Sequence, residues 1–131
     1  DYVANQVIKL INKKGIVVKD AKILILGITF KENCPDIRNT KIVDIYHTLT
    51  EYTENITIFD PYADIHEVKE EYELDVVNGD LNQYKGQYDT VILAVAHNEF
   101  KNIDLRSFLK DNGVVYDVKG IADLNQIDGR L

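Results

Sequence analysis

The stretch Lys22-Ile-Leu-Ile-Leu-Gly-Ile28 decides the fold class of this chain, because six of its seven positions lack a polar side chain. A strand with one solvated face alternates apolar and polar residues, whereas a strand buried on both faces of a parallel sheet is continuously apolar. A second such run, Tyr88-Asp-Thr-Val-Ile-Leu-Ala-Val-Ala96, lies in the second half of the chain. The two runs predict the central strands of a parallel sheet with helices on both faces.

The segments around these two runs alternate between helix and strand patterns. Residues 40–52 carry apolar side chains at helical spacing, with Asn39 or Thr40 available as the N-cap. We therefore predict a three-layer α/β fold, doubly wound and Rossmann-like, with a parallel sheet in the order 3-2-1-4-5. The remaining predicted elements are strands at 56–59, 74–77 and 114–118, an exposed helix at 65–72, and a helix beginning near Asp104 with Leu105, Phe108 and Leu109 facing inward.

An extra helix precedes this sheet in the sequence. Residues 1–14 place Val3, Val7, Leu10 and Ile11 on one helical face, and Gly15 is a typical helix stop. The chain contains no methionine. We therefore expect a piece of a longer protein, in which residues 1–19 are a tail helix and connector and residues 20–131 form one domain.

Composition narrows the possible partners. Fifteen basic side chains against twenty-two acidic ones give a net charge of −7, which disfavours nucleic acids and anionic membranes. A local pair of cations can still hold a small phosphate ligand. A single cysteine, Cys34, cannot form an internal disulfide, and no apolar run approaches the roughly 18 residues that span a bilayer. We expect a cytoplasmic protein.

The loop between the first strand and the first sheet helix is the most informative part of the chain. It runs from Gly27 to Asn39 with no second glycine, so the G-x-G-x-x-G turn of dinucleotide-binding folds is absent. Lys31 and Arg38 lie on this loop, and Pro35 stiffens the path between them. In a doubly wound sheet the loop overlies the crevice where the strand order reverses. Two cations at this place predict a phosphate-bearing ligand.

The same loop, Gly27-Ile-Thr-Phe-Lys-Glu-Asn-Cys-Pro-Asp-Ile-Arg-Asn-Thr40, resembles the signature loop of the UDP-glucose/GDP-mannose dehydrogenase family, in its C-terminal UDP-binding domain. The resemblance covers about residues 20–131. The loop sequence is most similar to that of the branch that acts on UDP-N-acetylhexosamines in Vi-antigen and capsule polysaccharide biosynthesis. The segment around Lys119 favours the same branch, since other branches usually carry an arginine there. Supporting segments are Phe59-Asp-Pro61, Leu93-Ala-Val-Ala-His97 and Tyr116-Asp-Val-Lys-Gly120.

The resemblance implies an enzyme that oxidises C6 of a UDP-sugar twice, through a thiohemiacetal on a cysteine, with NAD as the oxidant. It implies that Phe30, Lys31 and Lys119 bind the UDP-sugar and that Arg38 reaches the NAD pyrophosphate. In the family, the N-terminal domain carries the NAD fingerprint, and the central segment carries the catalytic residues and the dimer contact. We therefore expect no catalytic or metal-binding residue here, no dehydrogenase activity of the chain alone, and a parent enzyme that is a homodimer or larger.

Three residues near the crevice have both a functional and a structural interpretation. Cys34 is interpreted as a bystander thiol, because the sequence places no histidine beside it. His97 either touches the ligand or orders the turn that follows it, and we favour the structural role. Asp60 resembles a ribose-binding acid, but without a glycine turn we interpret it as a turn aspartate before Pro61.

Two other functions are weighed against the dehydrogenase domain. A stand-alone, Rossmann-type nucleotide-binding or regulatory domain is the main alternative, and the coding sequence upstream of residue 1 distinguishes the two. A small NAD-dependent reductase requires a glycine fingerprint and a catalytic Tyr-Lys or similar pair, and we identify neither in the sequence.

Overall fold

The computed structural model describes residues 1–131 as one six-stranded parallel sheet in the order β3-β2-β1-β4-β5-β6. Strand β1 pairs in parallel with β2 on one side and β4 on the other along its whole length. The strands are β1 (Ile23–Leu26), β2 (Ile56–Phe59), β3 (Val76–Val77), β4 (Tyr88–Leu93), β5 (Leu109–Asp117) and β6 (Gly129–Arg130), and the α-helices are α1 (Tyr2–Lys13), α2 (Ile42–Thr50) and α3 (Ile65–Tyr72).

The two central strands are buried on both faces, as their continuous apolar sequences predict. Every side chain of β1 is completely buried, and all six residues of β4 are buried as well. Ile23 and Ile25 point into one apolar core, whereas Leu24 and Leu26 point into a second core on the opposite face. The predicted doubly wound order 3-2-1-4-5 is confirmed, and β6 extends the sheet beyond β5.

The two faces of the sheet are covered differently. The larger core, with 23 buried residues, contains apolar side chains from all three α-helices. The smaller core, with 11 buried residues, is covered by short 3₁₀ helices and loops. The third layer of the predicted three-layer fold therefore consists of 3₁₀ turns and loops. The 3₁₀ helices on this face are Leu81–Tyr84, Asn98–Phe100, Leu105–Phe108 and Leu124–Gln126. A fifth, Val18–Asp20, lies against the larger core through Val18.

Helix α1 is an integral part of the larger core. Its N-cap is Asp1, whose carboxylate accepts a hydrogen bond from the backbone N–H of Ala4 at 3.0 Å, and the chain turns away at Gly15 with a φ of +73°. The helix packs against α2 and β5. Three of the four residues predicted to face inward, Val3, Val7 and Ile11, are buried, and Leu10 is half-buried against the same core.

The prediction of an α-helix that begins near Asp104 is wrong. Asp104 does cap a helical turn, but the turn is the 3₁₀ helix Leu105–Phe108, and Leu109 already belongs to β5. The backbone carbonyls of Ser107 and Phe108 accept hydrogen bonds from residues 86 and 87, so they are not available for a longer helix. The three apolar side chains predicted to face inward are nevertheless buried.

The start of α2 agrees with one of the two predicted caps. The helix runs from Ile42, and Lys41 before it has helical backbone angles and makes no side-chain capping hydrogen bond. The hydroxyl of Thr40 accepts a hydrogen bond from the Ile42 N–H at 3.2 Å, whereas Asn39 adopts a φ of +61°. Thr40 therefore caps the helix, and Asn39 does not.

None of the helices combines the length and apolar character that a membrane crossing requires.

Gly27 directly follows β1 and packs closely against Val95, two residues after the end of β4. Its φ is +103°, and a Cβ at this position would lie 2.5 Å from the Cβ of Val95. We expect Gly27→Ala to destabilise the fold by about 2–4 kcal/mol, because it combines backbone strain with a steric clash in a packed region. Gly79→Ala is the matched control, since Gly79 has a φ of +97° in open space and should lose only the strain energy, about 1–2 kcal/mol.

Urea unfolding of the two variants measures this difference. Equal losses for both variants would show that the approach of residue 27 to Val95 does not limit stability.

Candidate functional site

A cleft of about 140 Å³ lies beyond the carboxyl ends of β1 and β4, where the strand order reverses. It combines the loop after β1, the start of α2, the end of β4 and the turn after β5. Two of the predicted ligand-binding residues, Phe30 and Lys119, meet in this cleft. Its lining residues are Thr29, Phe30, Thr40, Lys41, Ile42, Ala94, Val95 and Lys119.

The cleft joins an apolar surface to positive charge. Ala94 and Val95 are buried, whereas the Phe30 side chain is 50% exposed. Lys41 and Lys119 add two exposed ammonium groups. An apolar surface with an exposed aromatic ring accepts a planar apolar group, and ammonium groups bind phosphate oxygens through charge-assisted hydrogen bonds. The arrangement suits a small ligand that carries both a planar apolar group and a phosphate group.

Asp117 positions Lys119. The Asp117 side chain is completely buried at the end of β5, and its carboxylate accepts hydrogen bonds from the backbone N–H groups of Lys119, Gly120 and Ala122 at 2.8–2.9 Å. Gly120 has a φ of +71°, which turns the chain back over the sheet edge. The carboxylate thereby holds the turn whose first exposed side chain is Lys119.

Asp60 holds the other side of the site, the loop that follows β1. One carboxylate oxygen, Oδ2, accepts hydrogen bonds from the N–H groups of Ile28 at 2.7 Å and Thr29 at 3.2 Å. The other oxygen, Oδ1, accepts from Tyr62 at 2.8 Å and Ala63 at 3.0 Å. The side chain is completely buried. Asp60 therefore cannot contact a ribose, and it acts as a structural anchor as well as a turn residue.

His97 extends this anchor. Its Nε2 atom lies 3.0 Å from Asp60 Oδ2, and its Nδ1 atom accepts a hydrogen bond from the Asn33 N–H at 2.9 Å. These partners assign the proton to Nε2, because Nδ1 has to present a lone pair to Asn33. The ring is completely buried. His97 thus orders the loop from inside, which agrees with the structural role favoured from the sequence.

Asn33 continues the same chain of contacts to the turn after β4. It has a φ of +58°, and its side-chain oxygen accepts a hydrogen bond from the Asn98 N–H at 2.8 Å. Asparagine tolerates this left-handed conformation better than most residues. Two hydrogen bonds therefore join the loop after β1 to the turn after β4, one from the Asn33 N–H to His97 and one from the Asn98 N–H to the Asn33 side chain.

The pKa of Asp60 lies below the ordinary aspartate value. Burial acts to raise the pKa, but the hydrogen bonds from His97 and from the N–H groups of Ile28 and Tyr62 stabilise the charged form and outweigh it. Asp60 is therefore held as a carboxylate.

The structure does not place Lys31 and Arg38 in the cleft. Lys31 is exposed on the same loop, immediately after Phe30, and its carbonyl accepts a hydrogen bond from the Thr29 hydroxyl at 2.8 Å. Arg38 pairs with Asp36 through two contacts, Nε to Oδ1 at 3.0 Å and Nη2 to Oδ2 at 3.2 Å. Its side chain is 80% exposed.

Asp36 links Arg38 to the cleft. While its carboxylate holds the guanidinium, its carbonyl accepts a hydrogen bond from the Phe30 N–H at 2.8 Å. The hydrogen bond from Arg38 is the main reason that the pKa of Asp36 lies below its usual value. The Arg38 Nη1 group makes no hydrogen bond and remains available to an external anion.

Cys34 lines a separate shallow depression of about 540 Å³ together with Pro35, Asp36, Arg38 and Glu67. The thiol is half-buried, and neither a histidine nor a lysine lines this depression. The depression therefore lacks the histidine that usually activates a cysteine nucleophile. No group of three or more metal-ligating side chains occurs in the chain.

Sequence reasoning missed two features of the site. Lys41 was not singled out, because an exposed lysine at the start of a helix has no motif of its own. The contact between Asp60 and His97 was also missed, although a signal existed. Asp60 follows β2 and His97 follows β4, and both strands flank β1 in the predicted order, so the topology brings the two residues to one edge.

The fold is a doubly wound α/β domain with a partly apolar cleft, lined by two lysines, at its switch point. Residues 24–124 match the model of the UDP-glucose/GDP-mannose dehydrogenase family, UDP binding domain. Because the match covers more than half of the chain, the chain belongs to the UDP-glucose/GDP-mannose dehydrogenase family. The resemblance drawn from the loop is confirmed.

Several curated relatives resemble the whole chain. It is 46% identical over 134 residues to the UDP-N-acetyl-D-glucosamine 6-dehydrogenase of Salmonella typhi, and 43% identical over 133 residues to the Pseudomonas aeruginosa protein of that name. Protein CapL of Staphylococcus aureus is 40% identical over 129 residues. The alignments cover 97–100% of the chain but only 30–31% of the relatives. The chain therefore spans about a third of their length.

Solved structures support the fold. The UDP-D-ManNAc dehydrogenase of Pyrococcus horikoshii superposes with a TM-score of 0.77 at 19% identity, over 97% of this chain and 29% of that one. The NDP-N-acetyl-D-galactosaminuronic acid dehydrogenase of Methanosarcina mazei gives 0.79 at 17% identity, over 95% and 26% of the two chains.

Asp60→Asn tests the anchor. An amide has one acceptor oxygen, so either orientation leaves buried N–H donors facing its NH₂ group. We expect a loss of about 3 kcal/mol in the free energy of unfolding at neutral pH, measured by urea denaturation. Asp80→Asn is the control, since Asp80 is an exposed cap with one backbone partner, and it should lose less than about 1 kcal/mol.

The same pair of proteins tests the pKa of Asp60. A carboxylate with a lowered folded pKa adds stability above the ordinary value of 3.8, and this stability is lost as the pH falls through the folded value. The stability gap between wild type and Asp60→Asn should therefore narrow below pH 3.8. A gap that stays constant down to pH 2 would contradict the assignment.

Proposed function

We propose that this chain is the nucleotide-sugar-binding part of an NAD-dependent UDP-sugar 6-dehydrogenase. The observation that carries the proposal is the cleft at the switch point, where an exposed aromatic ring and two ammonium groups converge beside a buried apolar floor. Membership of the family and its UDP binding domain supports UDP as the nucleotide.

Each predicted residue contacts a different part of the ligand in this proposal. The Phe30 ring packs on an apolar part of the nucleotide, and Lys119 binds a phosphate oxygen from the opposite side of the cleft. Lys31 reaches the ligand from the rim, since it follows Phe30 on the loop and its side chain is exposed. Each role suits the side chain, because lysine binds phosphate as a flexible point charge.

UDP-N-acetylhexosamine is the proposed substrate class. Two of the relatives most similar in sequence are named UDP-N-acetyl-D-glucosamine 6-dehydrogenase. The segment Val118-Lys119-Gly120, where other branches of the family usually carry an arginine, supports the same assignment. A role in surface polysaccharide biosynthesis follows from this substrate class.

The chain offers NAD a peripheral contact only. Its β1–α2 loop lacks the glycine turn that cradles a pyrophosphate, but the Nη1 group of Arg38 is open to solvent and suits one phosphate oxygen. NAD held elsewhere in the parent enzyme would supply the oxidant for the two oxidations at C6. This chain contributes binding and orientation to that reaction, and we assign no catalytic residue to it.

The rest of the parent enzyme supplies the remaining parts. We propose that residues 1–19 continue from a central dimerisation segment, that residues 20–131 form the UDP-sugar-binding domain, and that an N-terminal domain holds NAD. The parent would then act as a homodimer or a larger assembly in the cytoplasm.

An NMR titration of the labelled chain with UDP-N-acetylglucosamine tests the binding site. We expect chemical-shift changes clustered in residues 27–41 and 117–120, with a dissociation constant on the order of 1 mM because the site is open on one side. Lys119→Ala and Lys31→Ala should weaken this response. Lys85→Ala, at the opposite end of the sheet just before β4, should leave it unchanged.

Saturable binding of NAD without any response to UDP-sugars would instead favour a stand-alone cofactor-binding domain.

An absorbance assay for NADH tests whether the chain alone lacks dehydrogenase activity. The purified chain, mixed with UDP-N-acetylglucosamine and NAD, should produce no NADH above the enzyme-free blank, because the catalytic groups belong to other segments of the parent. Steady NADH formation by this chain would refute the assignment.

A further inference from the structure

Lys41 lies at a position that is unfavourable for a cation. It directly precedes Ile42, at the end of α2 where the backbone N–H groups of the first turn create the positive end of the helix dipole, while the Thr40 hydroxyl makes the capping hydrogen bond. A cation at this end of a helix is less favourable than a neutral or negatively charged residue. Departures from local preference of this kind are expected at functional sites.

Asp44 brings a negative charge to the same first turn of α2, but it forms no ion pair with Lys41. Lys41 forms no ion pair with any carboxylate within 4.0 Å, whereas Lys14, Lys69 and Lys110 each pair with an aspartate. The Lys41 side chain is exposed and lines the cleft that also contains Lys119. Two lysines that line one cleft can both contact the same bound anion.

We propose that Lys41 is a further ligand-binding residue, which contacts the diphosphate of the nucleotide sugar together with Lys119. This inference rests on the proposed function, because it assigns a second cation to the same cleft. The bound diphosphate would face two ammonium groups and the positive end of α2 at once, which offsets the unfavourable position of Lys41 in the free protein.

A series of ligands with increasing charge tests the role of Lys41. Uridine, UMP and UDP share the base and the ribose but differ in the number of phosphates. We expect Lys41→Gln to weaken UDP binding about fivefold to tenfold, to weaken UMP binding less, and to leave uridine binding within about twofold of wild type. NMR titration at low ionic strength supplies the dissociation constants.

Two controls accompany this variant. Lys85→Gln removes the same charge at the opposite end of the sheet, and UDP binding should not change beyond the small effect of net charge. Lys41→Arg keeps the cation, and it should retain most of the affinity for UDP.

Lys41→Glu separates a binding role from a structural one. Negative charge at a helix N-terminus is stabilising, so the melting temperature should rise by about 2 °C while UDP binding falls further than in Lys41→Gln. A residue needed only for folding would show lower stability together with lower binding.

The possible outcomes distinguish this inference from the proposed function. If the wild-type chain binds neither UDP nor UDP-N-acetylglucosamine, both proposals fail. If the wild type binds UDP, Lys119→Gln weakens it and Lys41→Gln does not, only the role of Lys41 is overturned. A loss of uridine binding equal to the loss of UDP binding would also overturn it, because the effect would then not depend on phosphate.

Discussion

The buried carboxylate of Asp60 is the contact on which the rest of the site depends. It accepts hydrogen bonds from four backbone N–H groups, two in the loop after β1 and two in the turn after β2, and from the His97 ring. The segments after three neighbouring strands are thereby held by one side chain. Burial makes a charged group costly, and only this complete set of partners compensates for it. The site therefore rests on a rigid base, although its ligand-facing residues are exposed.

This base explains why the loop after β1 can be long and still hold a defined shape. A glycine-rich turn would bring the backbone itself to a phosphate, whereas in the proposed site this loop offers side chains to the ligand. Asn33 takes the left-handed conformation and contacts His97, and Asp36 holds both the Phe30 backbone and the Arg38 guanidinium. Asp36 thus links the backbone of Phe30, on the apolar side of the cleft, to the exposed guanidinium of Arg38. Asp117 plays a matching role at the end of β5, where it holds the turn that presents Lys119.

The exposed residues around the cleft suit the proposal that this domain completes its site with other parts of a larger protein. The cleft is small and open, and Arg38 points away from it on an exposed surface. The chain spans about a third of its curated relatives. A domain that contributes the walls of a shared site needs exposed cations and an exposed aromatic ring, which would be poor choices for a closed pocket of its own.

The amino-acid sequence by itself determined the parallel sheet, its central strand order and the family. Continuous apolar runs can be satisfied only by strands buried on both faces, and the loop from Gly27 to Thr40 is long enough to be specific. Tertiary structure alone decided that residues 105–108 form a 3₁₀ turn and that a sixth strand joins the sheet edge. It also decided that Phe30, Lys41 and Lys119 line one cleft, whereas Lys31 does not. These outcomes depend on contacts between distant segments, which compete with local helix preference and decide which side chains share one cleft.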